Sequence, residues 1–192
     1  YEPEATAQSI GVMFDRMRPR LVALREAVLG ADTPKALQGS FAKDGQLALA
    51  REAATAFGYD WSRGRLDLAV HPFSSGGGND SRSTTRVVEA DPFNCLYSTI
   101  HEVGHSSYEL NIDPAYGMTP LGHGVSMGVH ESQSRIYENQ IGRSAGFTDW
   151  LYHRMVAQFG LLNVAGPEAF YAAVNQVRAG YIRTEADEVH YN

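Results

Sequence analysis

The chain has 192 residues, 43% of them hydrophobic and 20% charged, which excludes a disordered or collagen-like polymer. A chain of this size buries roughly 70% of its unfolded surface and so supports a real core. Lys+Arg number 16 and Asp+Glu 22, a net charge of −6; this argues against a nucleic-acid or anionic-membrane partner, since either would need a basic stripe.

Residues 5–29 read as a helix. Ile10, Met13, Phe14, Met17, Leu21, Leu24 and Val28 recur at three- and four-residue steps, and Pro19 is expected to kink or split it. A second helix is expected from about Asp44 to Phe57, closed by Gly58. Residues 64–73 read as a strand, Ser74 to Asp80 as a Gly/Ser loop, and 82–89 as a second strand that pairs with the first as a hairpin. Asp91-Pro92 is a strong helix start, with Asp as N-cap and Pro at the first helical position. That helix runs to Leu110 and is stopped by Asn111, Pro114 and Gly117. A Gly/Pro-rich loop reaches Gly124, and further helices are expected over about 125–141, 147–159 and 167–178. The whole is expected to be mainly α-helical with a small β-sheet or hairpin.

The chemistry concentrates in His101-Glu102-Val103-Gly104-His105, inside the Asp91–Leu110 helix. Residues four apart on a helix are about 40° apart around the axis and ~6 Å along it, so both imidazoles close on one metal. Glu102, beside them, is placed to touch a metal-associated water rather than the metal. An HEXXH motif arises by chance roughly 0.02 times in a chain of this composition. The competing reading is a pair of satisfied histidines on a buried helix.

A catalytic zinc wants a third protein ligand. With no cysteine available, the third should be Glu, Asp or His; Glu131 in His130-Glu131-Ser132-Gln133 is the favoured candidate, against an ordinary i,i+4 ion pair with Arg135, and His123 and His130 compete for the role.

Five motifs, in order, resemble the thermostable carboxypeptidase family, family 32 of the metallopeptidases. His71-Pro72-Phe73 is similar to its HPF and Asp80-Ser81-Arg82-Ser83-Thr84 to its DXRXT. His101–His105 match its HEXXH and His130–Gln133 its HESQ. Ile182-Arg183-Thr184-Glu185-Ala186-Asp187 is similar to its IRXXAD. The resemblance implies a zincin-like HEXXH carboxypeptidase that removes residues from peptide C-termini. It implies one zinc per chain, with cobalt or another divalent metal as the alternative, held by His101, His105 and Glu131. It implies Glu102 as general base and Arg183 as anchor of the substrate's terminal carboxylate. His71 and Arg82 match motifs that line and restrict the substrate groove. Full-length members are longer than this chain and typically homodimers.

On the residues alone, Arg183, followed by Glu185, Asp187 and Glu188, reads as a solvated charged face, Arg82 as an exposed strand residue and His71 as a strand end. The chain is therefore expected to be one segment, 1–192, of a larger catalytic domain. Residues 1–60 would be helical, 64–90 strands and loop, and 91–192 a helical metal-binding core. A sequence that starts at Tyr1 and ends without a stop signal agrees with a fragment. Cys95, the only cysteine, excludes an intrachain disulfide and a cysteine-built zinc site, and fits a cytoplasmic location. No apolar run approaches the ~20 residues of a membrane span, and no signal peptide is visible. The rival functions are a zinc endopeptidase or aminopeptidase on the same core, and a non-catalytic metal-binding helical module.

Overall fold

Asp91 caps the helix around which the other elements gather. Its side chain accepts from the Phe93 N–H at 3.2 Å, and Pro92 takes the first helical position, where an N–H would have no partner. The helix, α3 below, runs Pro92–Leu110 to Asn111, as its sequence predicts. The computed structural model describes residues 2–77 and 79–177; Arg183 and the rest of the fifth motif lie outside them.

The helices are α1 (Ala7–Leu29), α2 (Lys43–Ala56), α3, α4 (Met127–Arg135), α5 (Ala145–Phe159) and α6 (Pro167–Val174), with strands β1 (Gly64–Leu68), β2 (Ser74–Gly77) and β3 (Asp80–Thr85) between α2 and α3. Short 3-10 turns at Pro114–Tyr116 and Pro120–Gly122 break the loop after α3. α3 buries Leu96, Ile100 and Val103 against α2, whose Ala50, Ala53 and Ala54 have no exposed surface and let the helices approach closely. Leu151 and Met155 of α5 and Phe170 of α6 complete this core. Each such large apolar side chain contributes about 1.5–3 kcal/mol.

Three expectations change. Of the kink or split expected at Pro19, the split does not occur: α1 is one helix from Ala7 to Leu29, since a proline costs one N–H bond and its fixed φ is itself helical. The expected hairpin of 64–73 with 82–89 is absent. β3 is the central strand, parallel to β1 and antiparallel to β2, in the order β1-β3-β2. The expected Ser74–Asp80 loop contains the edge strand β2. A Cβ on Gly76 would collide with the Asp80 carbonyl oxygen and sit 2.9 Å from Ser81 Cα, so this glycine permits close pairing where a larger residue would not.

The sheet is pinned to α3 by hydroxyls. Ser106 Oγ lies 2.9 Å from both Ser74 Oγ and Ser83 Oγ, and Thr85 Oγ1 donates to the Cys95 carbonyl at 3.0 Å. Among the described residues no helix is long and apolar enough to cross a membrane.

Candidate metal centre

α3 brings the two histidines to one side, one turn apart, and α4 lies across it. The crossing is tight because of Gly104: a Cβ there would stand 2.6 Å from Ser134 Cα and 3.2 Å from the Gln133 carbonyl oxygen. Ser134 is fully buried in this contact, and its hydroxyl donates to the Glu131 carbonyl at 2.8 Å. Glu131 is thereby delivered to the histidines.

Three atoms form a near-equilateral triangle. His101 Nε2 and His105 Nε2 are 3.1 Å apart, and Glu131 Oε2 lies 3.7 Å from the first and 3.5 Å from the second. A tetrahedral zinc with bonds near 2.0–2.1 Å spaces its ligand atoms by about 3.3–3.4 Å. These side chains are the group that could hold a metal ion among the described residues.

The hydrogen bonds behind them agree. His101 Nδ1 lies 2.8 Å from Glu138 Oε2; with the carboxylate accepting there, Nε2 is the atom of the neutral ring that offers a lone pair toward His105. Two imidazole nitrogens at 3.1 Å share either a proton, as an N–H···N bond, or a cation. The other Glu131 oxygen, Oε1, accepts from Arg135 Nε at 3.0 Å. The ion pair with Arg135 uses one oxygen and leaves the other facing the histidines, so the two readings of Glu131 do not exclude each other.

Charge follows the geometry. The His105 ring holds the Glu131 carboxyl down at about 2 despite partial burial, with help from His101 and Arg135. Burial alone would lower His101, but the Glu138 bond and the surrounding carboxylates raise it above its ordinary value. Burial would raise Glu138, yet His101, Arg143 and Arg135 pull it below the usual range. Glu102 differs: burial pushes it up to about 7. Its Oε2 is buried without a hydrogen-bond partner among the described residues. An orphaned carboxylate oxygen beside two metal-ready imidazoles fits a base that works on a water next to a cation.

The remaining sites divide. His130 does not join the triangle; its Nδ1 lies 2.7 Å from Nδ1 of His105, on the outer side of that ring. His123 is exposed, its nearest acid being Glu109 at 3.8 Å. Arg82 is exposed on β3, paired with Asp80 at 2.9 Å, on the sheet face opposite the Ser83 hydroxyl that meets α3. His71 is exposed, and its carbonyl accepts from Thr84 Oγ1 at 3.3 Å. The structure does not bring either to the triangle. Glu138 went unread as a site residue, although it lies seven residues beyond Glu131. The expected 125–141 helix turns π-helical at Ile136–Ile141, and Glu138 sits on that turn.

A family model described as Carboxypeptidase Taq (M32) metallopeptidase matches residues 1–192. The chain belongs to the M32 metallopeptidase family. It is 41% identical over 198 residues to thermostable carboxypeptidase 1 of Thermus thermophilus, covering 100% of this chain and 38% of that protein. It is 36% identical over 199 residues to carboxypeptidase 1 of Bacillus subtilis, covering 100% of this chain and 39% of that one. The M32 carboxypeptidase structure from Deinococcus radiodurans matches at a TM-score of 0.92 and 44% identity, over 98% of this chain and 39% of that chain. The chain thus spans about two fifths of the length of these relatives. The M32 relationship makes the fold, mainly helical with a three-stranded sheet, a zincin-like one, and implies a divalent metal.

Proposed function

We propose that the chain forms the metal-holding and base-bearing part of a zinc metallocarboxypeptidase acting on peptides with a free C-terminus. The observation that carries this reading is the triangle of His101, His105 and Glu131 with, beside it, a Glu102 oxygen that has no partner among the described residues. Two imidazoles and one carboxylate are a donor set that suits zinc and leaves a fourth position open. When bound, zinc supplies Lewis acidity, lowering the pKa of a water and polarising a carbonyl oxygen. Glu138 holds the His101 ring in the orientation that offers Nε2. Arg135 holds Glu131 by its other oxygen. Glu102 takes the proton of the attacking water at Oε2 and passes it to the leaving amine.

Substrate selection is assigned to other residues. Arg183 is proposed to grip the terminal carboxylate with two parallel hydrogen bonds, which a guanidinium does and an amide C-terminus defeats. His71 and Arg82 are proposed to line the groove together with parts of the full-length protein outside this chain. The full-length protein is proposed to be a cytoplasmic homodimer, a location that the single buried cysteine favours. The test is metal analysis of the full-length protein together with hydrolysis of one peptide as free acid and as C-terminal amide. The reading expects one zinc per chain and turnover of the acid alone. Equal turnover of both would favour an endopeptidase or aminopeptidase, and zinc without turnover of either a binding module.

A further inference from the structure

Behind His105 runs a chain of hydrogen bonds. His105 Nδ1 lies 2.7 Å from His130 Nδ1, and His130 Nε2 lies 2.8 Å from Glu109 Oε1. The same Glu109 oxygen accepts the Gly124 N–H at 3.0 Å, which fixes the carboxylate from the loop leading into α4. Glu109 stands one further helical turn along α3, so His101, His105 and Glu109 form one stripe at four-residue steps. The Tyr108 ring meets the His130 ring edge-on, centroids 5.0 Å apart, and holds its plane.

The chain has a direction set at its acidic end. An ionised carboxylate only accepts, so His130 Nε2 carries the proton and donates to Glu109. A ring protonated at Nε2 alone has a lone pair at Nδ1, and that lone pair accepts from His105 Nδ1 when His105 turns its Nε2 lone pair to a metal. His105 Nε2, which faces His101 Nε2 and Glu131, is then free to serve as the ligand atom once a metal takes the place of its proton. His101 reaches the same state through one carboxylate, Glu138; His105 reaches it through a histidine and then a carboxylate.

We propose that His130 and Glu109 are positioning residues for His105: a Glu109–His130–His105 relay that sets the tautomer and ring angle of this metal ligand. The relay rests on the metal reading above. It gives the histidine of His130-Glu131-Ser132-Gln133 a role distinct from that of Glu131: one residue of the pair supplies an oxygen, the next supports a nitrogen from behind.

Two substitutions separate this from mere packing. His130→Phe keeps the ring and its contact with Tyr108 but removes both nitrogens. His130→Asn loses the ring, yet its side-chain oxygen can stand where Nδ1 was and accept from His105. Zinc affinity is measured in the full-length protein by chelator competition, and the cobalt(II)-loaded protein is compared by visible absorption. Loss of such an outer partner typically weakens metal binding 10–100-fold. The relay expects that loss, and a shifted cobalt spectrum, for His130→Phe. It expects His130→Asn to recover most of the affinity and the wild-type spectrum. Wild-type affinity in His130→Phe, or equal losses in both variants, overturns the relay while leaving the metal site standing. A wild-type protein that binds neither ion overturns both.

Discussion

Adding one methyl group at Gly104 should separate α3 from α4. The added Cβ would stand 2.6 Å from Ser134 Cα, against a normal carbon–carbon separation of about 3.5–4.0 Å, so α4 has to withdraw by about 1 Å. The neighbouring atom is backbone, and no rotamer change relieves it. Glu131 moves with α4, and its distances of 3.5 and 3.7 Å to the two imidazole nitrogens open with it. Metal sites tolerate about 0.2 Å of ligand displacement. The overpacking itself costs about 1–3 kcal/mol. On an open helix the same change would be favourable by about 1 kcal/mol, because alanine is the better helix former. The sign of the effect is therefore informative. Gly146, in the first turn of α5, meets nothing within 4 Å and serves as control. In the full-length protein, Gly104→Ala should unfold at lower denaturant and bind zinc at least about tenfold more weakly, while Gly146→Ala should do neither. A Gly104→Ala protein with wild-type zinc affinity and stability would refute the account of how α4 delivers its ligand.

Other expectations follow from the same contacts. Glu131→Gln should lose most zinc affinity, read by elemental analysis after dialysis; full metal retention would remove Glu131 from the ligand set. Cys95 has no exposed surface, and burial raises its thiol pKa against the pull of Thr85 and Thr99. It should therefore resist iodoacetamide in the native protein; its alkylation at the rate of a free thiol, seen by peptide mapping, would contradict the packing. Arg183→Lys keeps the charge and loses the fork. Each charge-assisted bond is worth about 1.5–3 kcal/mol, so kcat/KM on a free-acid peptide should fall about tenfold or more while the preference over the amide shrinks. Unchanged discrimination would remove Arg183 from the site.

The helix that carries the centre was readable because its signals are local. Asp91 and Pro92 start it, Asn111 ends it, and a four-residue spacing needs only a helix to bring two candidate ligands together. The strands were harder. Ser74–Gly77 has no β-branched residue, and it forms an edge strand through backbone pairing with β3 and a hydroxyl bond to Ser106, 32 residues away. Periodicity does not carry such information. Pairing direction was also hidden: β1 and β3 are close in sequence, but β2 takes the antiparallel place beside β3. Glu131 was legible as a candidate, since its neighbour Arg135 offered a rival partner that in fact takes the other oxygen. Glu138 and Glu109 were not read as site residues. Their roles depend on a π-helical turn and on a crossing allowed by Gly104, both set by tertiary contact. α1 shows the reverse: its apolar periodicity was plain, yet it buries no residue, and Met13, Phe14 and Leu24 stay about half exposed.

The account stands most directly on Glu102. Glu102→Gln keeps the shape of the side chain and removes the proton acceptor, without touching the three atoms of the triangle. Zinc content and turnover of a free-acid peptide, measured side by side for this variant and wild type in the full-length protein, test it. The account predicts wild-type zinc with kcat reduced by about 10²–10⁴-fold. Full zinc with turnover within a few-fold of wild type would contradict it.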